Sequence, residues 1–92
     1  MLEIEYTKRM KRDIKRAVRR GKDLSKLEIV LDMLAQRTVL PIQYRDHRLT
    51  GDKSKFRECH IEPDWLLMYR IVEDKLILSA VATGTHSDLL GM

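Results

Sequence analysis

A chain of 92 residues, 43% hydrophobic and 35% charged, can bury a modest core without metals or disulfides and is too apolar to stay disordered. No apolar run approaches the roughly 18 residues of a membrane span, and the start lacks the apolar segment of a signal peptide. A single cysteine, Cys59, cannot close an internal disulfide, so one cytoplasmic domain over residues 1–92 is expected. The net charge of +4 is uneven: residues 1–55 carry 15 Lys/Arg against 8 Asp/Glu, and residues 56–92 carry 3 against 6. A basic first part points to a polyanionic partner.

Met1–Tyr6 alternates Leu2, Ile4 and Tyr6 with Glu3 and Glu5, the period of a strand with one wet face. Thr7 can cap a helix running to about Arg20, with Gly21 as its stop. Met10, Ile14, Ala17 and Val18 make one narrow buried stripe on it. The rest of its surface is cationic, with Asp13 the only acid. Eight cations with one anion repel one another, so this face suits phosphates or an acidic partner. A second helix should start near Ser25, with Ser25 and Glu28 as a capping box and Leu24 and Ile29 as a hydrophobic staple. Leu27, Val30, Leu31 and Leu34 form its core stripe, with Ile29 and Met33 widening it. The short link predicts that the two helices are antiparallel.

Thr38–Lys55 is long and irregular, and such connections are uncommon unless they carry function. It holds Arg45, Asp46, His47, Arg48, Lys53 and Lys55 around a Thr50-Gly51-Asp52 turn, with a short strand near Tyr44–Leu49. The C-terminal third predicts strands at Phe56–Ile61, Trp65–Val72 and Leu76–Ala82. The first turn is set by Pro63, and the nearly continuous apolar run from Trp65 suits a central strand. Thr83-Gly84-Thr85-His86 then leaves the sheet, and Ser87–Gly91 can form a last helical turn. Two helices would cover one face of a small antiparallel sheet and leave the other open, an α+β arrangement.

Phe56–Trp65 concentrates titratable groups. Alternation puts Glu58 and His60 on one strand face and Arg57, Cys59 and Ile61 on the other. Cys59 is therefore unsuited to act with His60. Asp64, just past the Pro63 turn, can approach an imidazole, fix its tautomer and favour its charged form. His47, His60 and His86 are the only histidines. They lack the close spacing and second cysteine of a zinc site, so no metal or cofactor is expected. What remains is acid–base chemistry beside positive charge. Such a site can cleave RNA by activating its own 2′-hydroxyl.

The runs Tyr44-Arg-Asp-His47-Arg-Leu-Thr-Gly51, Arg57-Glu-Cys-His60-Ile-Glu-Pro-Asp64-Trp65 and Thr83-Gly-Thr-His86-Ser-Asp-Leu together resemble the YafQ branch of the RelE toxin family. The resemblance implies a RelE-like fold: an N-terminal strand and two antiparallel helices on one face of a small, twisted, mainly antiparallel sheet. It also implies a ribosome-dependent mRNA endoribonuclease, the toxin of a type II toxin–antitoxin pair silenced by a DinJ-like antitoxin. By the family's pattern the catalytic set is His47, His60, Asp64 and His86. RNA contacts are expected from Lys8, Lys11, Arg12, Lys15, Arg16, Arg45, Arg48, Lys53, Lys55 and Arg57. Two positions depart from that pattern. Val81 and Ala82 stand where many relatives carry an arginine, so either Arg57 or the Arg45/Arg48/Lys53/Lys55 group supplies its charge or activity is lower. Leu90 replaces a common phenylalanine and stacks less well on a base. Two alternatives are a ParE-like toxin that acts on DNA gyrase by binding alone, and a plain binding module with structural histidines.

Overall fold

The computed structural model describes residues 1–91. Strand β1 (Glu3–Tyr6) leads through Thr7 into helix α1 (Lys8–Arg19), and helix α2 (Leu24–Ala35) follows a short link. The long connection is broken by a 3-10 turn at Ile42–Tyr44, strand β2 (His47–Arg48) and a second 3-10 turn at Gly51–Lys53. Strands β3 (Arg57–Glu62), β4 (Trp65–Val72) and β5 (Ile77–Gly84) come next, then the short helix α3 (His86–Leu90). The sheet order is β1-β5-β4-β3-β2, with β1 parallel to β5 and every other pair antiparallel. The apolar strand β4 is central, as its composition predicts.

The period of two sorts the side chains. Cys59, Trp65, Leu67, Tyr69, Leu78 and Ala80 face the helix layer, where Met10 and Ala17 of α1 and Leu27, Val30, Leu31 and Leu34 of α2 cover them. Burying each large apolar side chain contributes about 1.5–3 kcal/mol, so this layer supplies most of the driving force. On the other face Leu66, Met68 and Ala82 form a smaller cluster under Leu89 of α3. That face is therefore partly covered, and the expectation of an open face holds only beside α3.

Three local expectations are corrected. In α1, Val18 is 55% exposed and Asp13 takes its place in the buried stripe. The Asp13 carboxylate accepts the Thr83 backbone N–H at 3.1 Å and lies 3.1 Å from the Arg16 guanidinium. Those partners offset its desolvation. In α2 the cap is Asp23, not Ser25: one Asp23 oxygen accepts both the Ser25 backbone N–H at 3.0 Å and the Ser25 hydroxyl at 2.6 Å. A carboxylate is the stronger acceptor, so it takes the cap and no Ser25–Glu28 box forms; Ile29 stays 54% exposed. Lastly, α3 begins at His86, because Thr85 and Asp88 form a reciprocal capping box one residue earlier than expected.

Candidate active site

β3 carries the first two groups. Glu58 lies opposite Met68 and His60 opposite Leu66, so both sit on the sheet face away from α1 and α2. Cys59 points into the helix-side core, where burial pushes its thiol up to about 12. It is no nucleophile at neutral pH. His47 reaches the site because β2 pairs with β3 in a register that sets it directly across from Glu58. Its Nε2 is 3.4 Å from Glu58 Oε1. The third histidine comes from the start of α3. His86 donates its backbone N–H to Asp64 Oδ1 at 2.9 Å, and its Nδ1 lies 2.6 Å from the same oxygen.

The result is a row. His60 stands between His47, at a ring-centroid distance of 6.4 Å, and His86, at 5.5 Å. A carboxylate flanks each end, Glu58 behind His47 and Asp64 behind His86. The structure thus brings together all four expected catalytic side chains and adds Glu58, which the sequence marked only as a neighbour of His60. The signal was its place two residues before His60 on the same strand face.

Burial holds the His60 imidazole below the usual histidine value, and the charges of Arg45, His86 and His47 act in the same direction against Glu58. Asp64 is held below the usual carboxylate range by the His86 backbone N–H first and its imidazole second. Among the described residues, two buried side-chain atoms lack a hydrogen-bond partner: Glu58 Oε2 and His60 Nδ1. Buried polar atoms are nearly always paired, so two orphans on one sheet face mark a place prepared for something else. Among the described residues, no three His, Cys, Asp or Glu side chains converge as a metal-binding group.

The cations divide. Arg57 is turned to the opposite face, where its guanidinium meets Asp46 at 3.1 and 3.4 Å and Tyr69 donates its hydroxyl to the same carboxylate. It holds Asp46, the neighbour of His47, and supplies no charge to the histidine row. Arg48, directly across from Arg57, shares that face. Arg45, by contrast, lies near enough for its charge to act on His60. Lys53 and Lys55 are exposed around the Gly51–Lys53 turn. On α1, Lys8, Lys11, Arg12 and Lys15 are exposed and, among the described residues, in no ion pair. Arg16 is different: it is spent on Asp13, Asp88 and the Thr83 carbonyl.

A mixed five-stranded sheet with two helices on one face and a histidine–carboxylate row on the other defines a RelE-like toxin. The profile of one family, described as "Bacterial toxin of type II toxin-antitoxin system, YafQ", matches residues 2–91, and the chain belongs to that family. It is 42% identical over 90 residues to the mRNA interferase toxin YafQ of Escherichia coli K12, covering 97% of this chain and 96% of that protein. Among solved structures, a metal-bound toxin from Helicobacter pylori superposes with a TM-score of 0.92 at 43% identity, covering 97% of this chain and 99% of that one. YafQ in the E. coli DinJ–YafQ complex superposes at 0.89 and 38%, covering 99% and 100%.

Proposed function

We propose that residues 1–92 form one mRNA interferase domain, a cytoplasmic endoribonuclease that cuts ribosome-bound mRNA and is silenced by a DinJ-like antitoxin. The observation that carries this is His60 standing 5.5 Å from His86, whose ring is itself fixed by Asp64. His60 is biased toward the neutral imidazole, so it takes the proton from the 2′-hydroxyl. The 2′-oxygen attacks the adjacent phosphorus, and the bond to the 5′-oxygen breaks. His86, with Asp64 stabilising its imidazolium, gives that oxygen a proton, and a 2′,3′-cyclic phosphate remains. His47 and Arg45 neutralise the crowded phosphate. Lys8, Lys11, Arg12 and Lys15 hold the ribosomal RNA backbone.

Primer extension on ribosome-bound mRNA tests the assignment. The wild type should leave discrete stops that a His60→Ala/His86→Ala double variant loses. Undiminished cleavage by the double variant would sink it. Because no metal takes part in these steps, cleavage should survive prior chelation; loss on chelation and recovery with a divalent metal would overturn the metal-independent reading.

A further inference from the structure

We infer that Asp88, gripped across Gly84 by Arg16 of α1 and by Arg20 at its C-cap, is a positioning residue for His86, so that the C-terminal end of the cationic helix belongs to the catalytic frame and not to an RNA-binding face. The inference rests on the reading of His86 as a proton carrier. Helix α3 has five residues and cannot hold itself together by its own hydrogen bonds. It must be anchored from outside. One anchor is Leu89, which packs on Leu66, Met68 and Ala82. At the end that carries His86, Asp64 takes that residue's backbone N–H and meets its ring, and a further anchor there is ionic.

The Asp88 carboxylate accepts the Thr85 backbone N–H at 2.9 Å and the Arg20 guanidinium at 2.6 Å, with Arg16 Nη2 3.7 Å away. Arg16 Nη2 also donates to the Thr83 carbonyl at 3.1 Å, and Asp13 takes the Thr83 N–H. Arg9 reaches the Asp88 carbonyl at 3.5 Å. Residues 83 and 88 are thus tied to α1, Thr85 is tied to Asp88, and His86 lies between these held positions. Gly84 makes this grip feasible. A Cβ there would lie 2.7 Å from Asp88 Oδ2 and 2.9 Å from Arg16 Nη2, so any side chain would push the carboxylate and guanidinium off the strand. Exposed ion pairs alone contribute little, but this one is joined to backbone groups on both sides and bears on a ring that must sit within a fraction of an ångström.

The test compares Asp88→Asn, Arg20→Met, their double variant and Arg20→Lys, reading single-turnover cleavage of ribosome-bound mRNA and the His86 imidazole signals by NMR of the isolated toxin. If Asp88 positions His86, Asp88→Asn and Arg20→Met each lower kcat by about ten- to a hundredfold with KM unchanged. The double variant is no worse than either single one, Arg20→Lys recovers most of the rate, and the His86 signals shift in step. If Arg20 instead contacts RNA, Arg20→Met raises KM while Asp88→Asn, by freeing two cations, lowers it; that opposite pair overturns the inference. Unchanged His86 signals in Asp88→Asn also overturn it. Shifted signals with an unchanged rate overturn the reading of His86 as proton carrier and leave the anchor standing.

Discussion

One oxygen of Asp64 meets His86 twice, at 2.9 Å from its backbone N–H and 2.6 Å from its ring Nδ1. The pairing fixes the tautomer: Nδ1 carries a proton toward Asp64, and Nε2 is left without a part in that contact. Asp64→Asn keeps an acceptor for the backbone N–H and removes the charge that favours the imidazolium. Cleavage should fall by about 10²-fold in single-turnover measurements on ribosome-bound mRNA. An unchanged rate would mean that Asp64 only braces the turn. Because the folded Asp64 lies below the usual carboxylate range, any stability it contributes is present above that range and is lost as pH falls through it.

Glu58 trades stability for function. Its carboxylate is buried with Oε2 unpaired while Oε1 faces His47. Glu58→Gln removes a half-compensated buried charge, so stability should rise by about 1 kcal/mol and Tm by about 4–8 °C in thermal denaturation. Cleavage should drop by about tenfold as His47 loses its partner. A lower Tm with wild-type cleavage contradicts this.

The sign of the pH dependence follows from His60. Burial lowers its folded value below the usual 6.5, so the unfolded chain binds the extra proton as pH falls. Folding stability from this group is therefore complete above about pH 6.5 and declines below it, and the acid limb of the rate profile lies below 6.5. In Glu58→Gln the one charge that raises the His60 value is gone. The acid limb should move further toward acid, measured by kcat against pH.

Gly84→Ala should destabilise the fold by about 1–3 kcal/mol in urea titration, because its methyl meets Asp88 and Arg16 at under 3 Å. Ala82→Gly, two residues earlier and packed beside Met68 on the same sheet face, opens a small void and loses about 1 kcal/mol from packing. Only the first should also move the His86 ring signals.

Replacing Lys8, Lys11, Arg12 and Lys15 together by Gln should weaken ribosome binding and flatten its log–log dependence on salt, with the rate on bound mRNA preserved. Equal salt slopes in the variant and the parent would remove α1 from the RNA contacts.

Most of the fold was legible because local chemistry agreed with global packing. Thr7 and Gly21 bracket α1, Pro63 and Asp64 turn β3 into β4, and the apolar run from Trp65 is the central strand. Alternation along β3 was enough to separate His60 from Cys59. The caps were less legible: Asp23 and Ser25 are both good acceptors, and only the geometry of the link decides between them.

The sequence by itself determined which residue types are available to the candidate site and which strand face presents Glu58 and His60, since a period of two is a property of any extended chain. Tertiary structure alone decided how the cations are shared out. Whether a guanidinium meets solvent or a carboxylate depends on partners tens of residues away. Arg57 was spent on Asp46, Arg16 and Arg20 on Asp88, and the row of three histidines was closed only when β2 paired with β3 and α3 folded back onto Asp64.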